Sequence, residues 1–174
     1  MTRAILIALV AGVACHSRTD QLPPVPRLPA PVPAVAGDVR SLFALRYVDI
    51  VPGTGATAEQ GKCVYAHYTG WLTDGKKFDS SRDTTRDGKP RTPIAFPLGY
   101  RRVIAGWDLG FQGMQVGAQR RLIIPYQLAY GERGRSPVIP AKADLVFDVE
   151  LMRVADTVAA PRAAGVTAPA CPPW

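Results

Sequence analysis

The feature that most constrains this chain is the stretch 67–83, which has the pattern of a strand, a turn and a second extended piece. Residues Thr73–Lys76 are a turn signal, because Gly75 can adopt a positive φ at little cost. Phe78 and Asp79 then place a large ring beside a carboxylate. Successive side chains of a strand point to opposite faces of a sheet. The residues expected to share one face are Val64, Ala66, Tyr68 and Leu72.

The clearest strand pattern lies at residues 144–154, where side chains alternate over the whole segment. We expect Leu145, Phe147, Val149 and Leu151 on one face, and Val146, Asp148, Glu150 and Met152 on the other. Weaker alternation marks residues 43–50 and 119–125 as further strands.

One short helix is predicted before these last strands. Val103, Trp107 and Phe111 lie at i, i+4 and i+8, the spacing of an apolar helix face, and Ile104 adjoins them. One helix with about five alternating strands indicates an α+β domain, in which an antiparallel sheet wraps around the helix.

The first residues predict export. Residues 1–14 combine a short positive start with the apolar run Ala4–Ala14, which suits a signal peptide and is too short to span a bilayer comfortably. Small residues before Cys15 are typical of a bacterial lipoprotein signal, in which the cysteine is lipidated. Ordinary cleavage after Ala14 stays open, because Gly12 and Ala14 supply the small residues it needs. We expect the bacterial cell envelope, either the periplasm or the outer membrane.

Two flanks of unusual composition bound the expected domain at 41–155. Prolines are dense in residues 15–40, which favours an extended polyproline II linker. Alanine and proline dominate residues 156–174, where we expect a flexible, disordered tail.

The three cysteines are too few for a disulfide scaffold. Cys63 has the opposite parity to Tyr68, so we expect it to face outward or an edge, and Cys171 lies in the tail. A Cys63–Cys171 bridge stays open, but we expect two free or separately used thiols. No cluster of cysteine, histidine and carboxylate has metal-ligand spacing, so we expect no metal and no cofactor.

Charge and motif content exclude several function classes. The net charge is +7, but there is no nucleic-acid motif, so we expect a basic surface with no nucleic-acid partner. Weak attraction to an anionic membrane or cell-wall surface stays open.

The sequence contains no Gly-x-Ser-x-Gly or P-loop motif that would indicate covalent or phosphate chemistry. His67 has the parity of a half-exposed strand residue. The scattered aromatic residues can all be core, which we favour for Phe96.

Several motifs resemble the FKBP-type peptidyl-prolyl cis-trans isomerases, the tacrolimus-binding immunophilins. They are HYTG-x-L-x-DG-x-x-FDSS-x-D from residue 67, VIAGWDLG, LAYGERG and IPAKADLVFDVEL. The resemblance covers roughly residues 44–154. It implies an antiparallel half-barrel around one short helix, with an apolar pocket that rotates X–Pro bonds and assists the folding of exported proteins.

The resemblance also implies roles for single residues. Trp107 would be the pocket floor, the Ile104 backbone N–H and the Tyr130 hydroxyl would hold substrate carbonyls, and Asp79 would lie at the edge. The catalytic candidates are Tyr68, Phe78, Asp79, Ile104, Trp107, Tyr130 and Phe147, and the substrate-binding candidates are Val103, Ala129, Val138 and Ile139. The expected partners are proline-containing polypeptides and tacrolimus-like macrolides, with a membrane if Cys15 is lipidated, and the expected state is a monomer.

Three departures from the family pattern concern the pocket rim. Arg102 stands where many relatives have glutamate, Ile94 replaces an aromatic residue, and residues 135–137 alter a loop over the pocket. They bear on substrate preference and drug affinity more than on activity. Two alternatives stay open: a binding module or holdase without relevant catalysis, and a purely structural envelope lipoprotein.

Overall fold

The computed structural model describes residues 29–37, 40–42, 44–158 and 169–174 of the chain. The regular elements of these residues are strands β1 (Arg40–Leu42), β2 (Leu45–Val51), β3 (Cys63–Leu72), β4 (Lys77–Ser80) and β5 (Ile94–Pro97), helix α1 (Ala105–Gly110), and strands β6 (Gln119–Ile124) and β7 (Leu145–Ala155). Two short 3₁₀ turns, Tyr126–Leu128 and Gly131–Arg133, lie between β6 and β7. The proposed signal peptide, Cys15 and most of the proline-rich linker lie outside the described residues.

All strands belong to one antiparallel sheet in the order β1-β2-β6-β7-β3-β4, with β5 paired to β3. The central pair is β3 and β7, which run opposite each other from Cys63↔Ala155 to Leu72↔Leu145 with one irregularity after Tyr65. The helix packs against one face of this sheet. The expected α+β half-barrel is therefore confirmed.

Alternation along β7 decides which residues form the core. Leu145, Phe147, Val149 and Leu151 are at most 3% exposed and belong to the main cluster, together with Trp107 and Phe111 of the helix region. Val64 and Ala66 of β3 reach the same cluster, as the strand parity predicts. Burial of this continuous apolar face is the main favourable term in folding.

The helix is shorter than its sequence pattern predicts. It begins at Ala105, because Ile104 is extended with φ −60° and ψ 147°, and Val103 precedes it. The Asp108 carboxylate accepts hydrogen bonds from the backbone N–H groups of Gly99 (2.9 Å) and Arg101 (3.0 Å). These bonds hold the preceding loop across the first turn. Val103 and Ile104 are therefore loop residues at the helix entrance, not part of its face.

The segment before the domain packs against the sheet instead of standing away as a linker. Val32 is 7% exposed and forms a small cluster with Trp71 and Val146, on the sheet face opposite the main core. The Arg121 guanidinium donates to the carbonyl of Pro33 at 2.5 Å. The described residues 29–37 are thus part of the folded unit.

The end of the chain is also attached, which corrects the expected free thiols and, for residues 169–174, the expected disordered tail. Cys63 and Cys171 form a disulfide with a Cα–Cα distance of 5.5 Å. Tyr65 donates its hydroxyl to Pro172 at 2.5 Å, and its ring lies 5.5 Å from that of Trp174. Cys63 does lie on the outer face, but the returning segment buries it completely. Residues 159–168 lie outside the described residues.

Among the described residues, no helix has the length and apolar character needed to cross a bilayer.

Candidate active site

Four aromatic rings from four elements meet between the sheet and the helix. Trp107 of α1 lies 5.0 Å from Tyr68 of β3 and 5.2 Å from Phe147 of β7, measured between ring centroids. Phe78 of β4 lies 5.4 Å from Phe147. The pairs meet edge to face, the geometry that ring quadrupoles favour. These rings enclose a cavity of about 210 Å³, called the aromatic cavity below.

Two glycines let these elements approach closely enough. Gly70 of β3 lies opposite Phe147, and a Cβ there would come within 2.6 Å of the Phe78 ring and 2.7 Å of the Phe147 ring. A Cβ at Gly106 would come within 2.4 Å of Ile124 in β6. Such contacts are shorter than side chains tolerate, so Gly70 admits the two rings and Gly106 brings the helix against the sheet.

The polar edge of the aromatic cavity centres on Asp79. Tyr68 donates its hydroxyl to Oδ2 of this carboxylate at 2.6 Å, and the Ser80 backbone N–H donates to Oδ1 at 2.9 Å. The Arg91 guanidinium also contacts Oδ1, at 3.3 Å. Burial, and then the hydrogen bond to Asp79, raises the pKa of Tyr68 above its ordinary value. Tyr68 is therefore a protonated hydroxyl committed to Asp79 across the physiological pH range.

Two donors at the cavity carry no partner within the described part of the chain: the backbone N–H of Ile104 and the Tyr130 hydroxyl. The indole N–H of Trp107 is buried and likewise unpaired among these residues. An unsatisfied buried donor costs about 1–3 kcal/mol, whereas donors at a cavity mouth are available to ligand carbonyls. The cavity therefore combines apolar walls with a few directional donors, the usual composition of a small-molecule or peptide site.

Two further hollows adjoin the aromatic cavity. A recess of about 340 Å³ shares Phe78, Asp79 and Tyr130 with it and is closed by the loop at Val138 and Ile139. A groove of about 700 Å³, called the arginine groove below, runs outward past Ile104. Its lining residues are Arg101, Arg102, Val103, Ile104, Ala105, Ala129, Tyr130 and Arg135.

The structure brings most of the sequence-predicted residues together. The aromatic cavity is lined by Tyr68, Phe78, Asp79, Val103, Ile104, Trp107, Tyr130 and Phe147. Val138 and Ile139 line the recess instead, and Ala129 lines the arginine groove. Phe96 is core, 2% exposed and 5.7 Å from the Trp107 ring. Ile94 and Arg102 lie at the rim.

Two further arginines contact the site, of which the sequence indicates Arg135, as part of the departure at residues 135–137, but not Arg91. Arg91 reaches Asp79 from a polar loop, and the Arg135 guanidinium lies 5.8 Å from the centre of the Tyr130 ring. Neither occupies a position with a periodic pattern, so their contacts with Asp79 and Tyr130 become visible only in the folded loops.

His67 lies outside the aromatic cavity, as a half-buried strand residue. Its ring is 3.0 Å from the Ser81 hydroxyl, and it lines a separate hollow of about 450 Å³ with Arg82 and Glu150. Burial, followed by the positive charge of Arg82, lowers the pKa of this imidazole. Arg82 and Glu150 form an ion pair with each other, and His67 is engaged by Ser81.

Comparison with known proteins identifies relatives of this arrangement. Residues 55–152 match the family model described as FKBP-type peptidyl-prolyl cis-trans isomerase. The chain is 48% identical over 106 residues to an FK506-binding protein of Neisseria meningitidis serogroup A, covering 61% of this chain and 92% of the relative. It is 50% identical over 111 residues to FK506-binding protein 4 of Dictyostelium discoideum, which corresponds to 64% of this chain but only 28% of that longer protein.

Solved structures show the same likeness. A peptidyl-prolyl cis-trans isomerase from Pseudomonas syringae pv. tomato superposes with a TM-score of 0.58 at 35% identity, covering 68% of this chain and 81% of that one. FkpA from Escherichia coli gives a TM-score of 0.58 at 37% identity, over 68% of this chain and 52% of that one. Residues 55–152, which match the family model, include every residue that lines the aromatic cavity.

Proposed function

Since this chain belongs to the FKBP-type peptidyl-prolyl cis-trans isomerases, we propose that the aromatic cavity is where it rotates X–Pro peptide bonds. The reaction needs no covalent intermediate and no proton transfer. The barrier exists because twisting the amide removes the resonance of its C–N bond, and an X–Pro bond takes tens to hundreds of seconds to rotate unaided.

The walls of the cavity favour the twisted bond. A twisted amide carries less negative charge on its carbonyl oxygen than a planar one, so it loses less when water is replaced by rings. The rings of Tyr68, Trp107 and Phe147 supply this water-poor surface. An enzyme accelerates a step only through interactions that are stronger in the transition state, and each tenfold acceleration requires about 1.4 kcal/mol. Contacts of a few rings have that size.

The unpaired donors orient the substrate. The Ile104 N–H faces a substrate carbonyl beside the proline, and the Tyr130 hydroxyl receives a second carbonyl across the cavity. Asp79 keeps Tyr68 in place through the 2.6 Å hydrogen bond and adds a carboxylate at the edge. Val138, Ile139 and Ala129 contact the residues that flank the proline.

The observation that carries the proposal is the convergence of Trp107, Tyr68, Phe78 and Phe147 on one cavity, with two unpaired donors at its mouth. An apolar binding site with directional donors explains this pattern better than a purely structural core does. No observation favours the non-catalytic binding module or the purely structural lipoprotein.

Phe147→Ala tests the assignment against a matched control, Leu151→Ala. Both residues lie on β7, face the core and are at most 3% exposed, but Leu151 does not line the aromatic cavity. Each truncation destabilises the fold by about 2–5 kcal/mol. We expect Phe147→Ala to lose at least about tenfold in kcat/KM on an X–Pro peptide, and Leu151→Ala to keep its turnover while folded. Equal turnover in the two folded variants would contradict the site.

We further propose that the protein acts as a monomer on exported polypeptides in the bacterial envelope, with residues 1–14 as signal peptide and Cys15 as a lipid anchor. The Cys63–Cys171 disulfide supports an oxidising compartment, because structural disulfides persist outside the cytosol. Mass analysis of the mature N-terminus tests the anchor: an acylated Cys15 is expected, and an unmodified cysteine would favour ordinary cleavage after Ala14.

A further inference from the structure

The mouth of the aromatic cavity carries arginine side chains that form no ion pair among the described residues. Arg102 and Arg135 each line both the aromatic cavity and the arginine groove, and Arg101 lines the groove beside them. All three are exposed, and none forms an ion pair with a carboxylate among the described residues. The one carboxylate in these linings, Asp79, is already occupied by Arg91 and Tyr68.

The backbone that carries these arginines is held in place. Arg101 adopts a left-handed conformation with φ 54°, which residues other than glycine rarely adopt, and the Asp108 carboxylate receives its N–H. Arg135 is bonded in both directions to Ile139, with N···O distances of 2.8 and 2.9 Å. Its guanidinium is also held over the Tyr130 ring. The backbone of Arg101 and of Arg135 is therefore anchored, in two loops that line the arginine groove together with Tyr130.

A polypeptide seated in the cavity must pass these charges. The arginine groove is continuous with the aromatic cavity through Val103, Ile104 and Tyr130, so the residues next to the bound proline leave along it. Guanidinium groups form charge-assisted, two-pronged hydrogen bonds with carboxylates. Charges of like sign on the substrate are repelled at the same place.

We propose that this isomerase selects proline segments with an aspartate or glutamate within about two residues of the proline, and that Arg101, Arg102 and Arg135 determine this preference. The inference rests on the proposed function, because it takes the aromatic cavity as the proline site. Many relatives have glutamate at the position of Arg102. The substrate of this protein therefore meets a positive charge at a place where it meets a negative charge in those relatives.

The test uses matched peptides and the purified full chain. Each peptide contains Leu-Pro, with glutamate directly before or directly after that pair, and each has a counterpart with glutamine at the same position. Turnover gives a ratio of kcat/KM for the glutamate and glutamine peptides, and fluorescence anisotropy gives the ratio of their Kd values. We expect a ratio of about three- to tenfold in favour of glutamate at one of the positions at least, since single exposed ion pairs are weak and several act together.

Salt and substitutions identify the source of the preference. Raising the salt from about 0.01 M to about 1 M shortens the Debye length from ~30 to ~3 Å, so the ratio should fall towards one. Arg102→Gln and Arg135→Gln should each lower the ratio, and the pair Arg102→Glu with Arg135→Glu should reverse it, so that the glutamine peptide becomes the better substrate. Arg86→Gln removes an exposed charge that lines neither cavity nor groove, and should leave the ratio unchanged.

Two results would overturn the inference. The first is a ratio of one at every position in the unmodified protein. If the glutamine peptides are still turned over rapidly, that result leaves the isomerase function intact. A ratio that Arg86→Gln lowers as much as Arg102→Gln does would assign the preference to net charge rather than to the groove. If no peptide is isomerised, the proposed function fails, and the Kd ratio alone still decides whether the groove selects acidic segments.

Discussion

At the residue scale, the site depends on one position where a side chain is absent. Gly70 faces the point where the rings of Phe78 and Phe147 meet, and its lack of a Cβ is what allows their 5.4 Å approach. The sequence shows this glycine inside a strand, where glycine is otherwise unfavourable. Its role becomes clear only when the two rings, 69 positions apart by residue number, are placed beside it.

Gly70→Ala should therefore damage the site more than the fold. The added methyl forces Phe78 or Phe147 from its rotamer, at an overpacking cost of about 1–3 kcal/mol. We expect kcat/KM to fall by about tenfold or more, with the circular dichroism spectrum of the native protein retained. Unchanged kcat/KM would mean that the ring positions do not govern turnover.

The raised pKa of Tyr68 leads to a prediction of how activity responds to pH. Burial and the hydrogen bond to Asp79 raise its pKa, so the folded state holds this proton more tightly than the unfolded state does. The resulting stability is present in full below the unfolded pKa of about 10 and is lost as the pH rises through the folded value. We expect kcat/KM to be flat from about pH 6 to 9. A titration of activity within that range, absent in Tyr68→Phe, would contradict the assigned hydroxyl.

At the element scale, the entrance to α1 positions the donor of the site. The spacing of Val103, Trp107 and Phe111 predicts a helix that includes all three, but the structure starts the helix at Ala105. The predicted helix start was wrong because an extended residue, such as Val103 or Ile104, can face the same cavity as a helical one. The left-handed Arg101 and its bond to Asp108 have no signature in local periodicity.

Asp108→Ala tests this arrangement. The substitution removes the acceptor of two backbone N–H groups, those of Gly99 and Arg101, and we expect a loss of about 1–2 kcal/mol in the free energy of unfolding. Because the loop leads directly to Ile104, kcat/KM should also fall by several-fold. Asp108→Asn keeps one acceptor oxygen and should recover part of both losses. Full activity in Asp108→Ala would show that the loop holds Ile104 without this carboxylate.

At the scale of the whole molecule, the sequence predicts the domain better than its ends. The hairpin around Gly75, the alternation of β7 and the α+β class follow from local chemistry and are confirmed. The attachment of residues 29–37 and 169–174 depends on contacts between distant positions, such as Cys63 with Cys171, across a separation of 108 residues. Alanine- and proline-rich composition hides these contacts, because the segments bind through backbone carbonyls and a few side chains.

The disulfide should stabilise the protein without assisting catalysis. It joins the outer face of β3 to the C-terminal segment, away from the aromatic cavity. We expect Cys63→Ala with Cys171→Ala to lower the free energy of unfolding in urea by about 2–4 kcal/mol. Peptide turnover of the folded variant should stay within about twofold of the unmodified protein, a difference of roughly 0.4 kcal/mol in activation free energy. A large loss of turnover in a fully folded variant would mean that the disulfide on the outer face affects the geometry of the aromatic cavity.

The most direct test of the central claim is isomerisation of a Leu-Pro peptide by the purified protein, with and without tacrolimus. We expect acceleration that the drug abolishes when it fills the aromatic cavity. Acceleration that resists the drug would keep the activity and point to a rim reshaped by Ile94, Arg102 and Arg135. A folded protein that gives no acceleration would contradict the assignment of the aromatic cavity as an isomerase site.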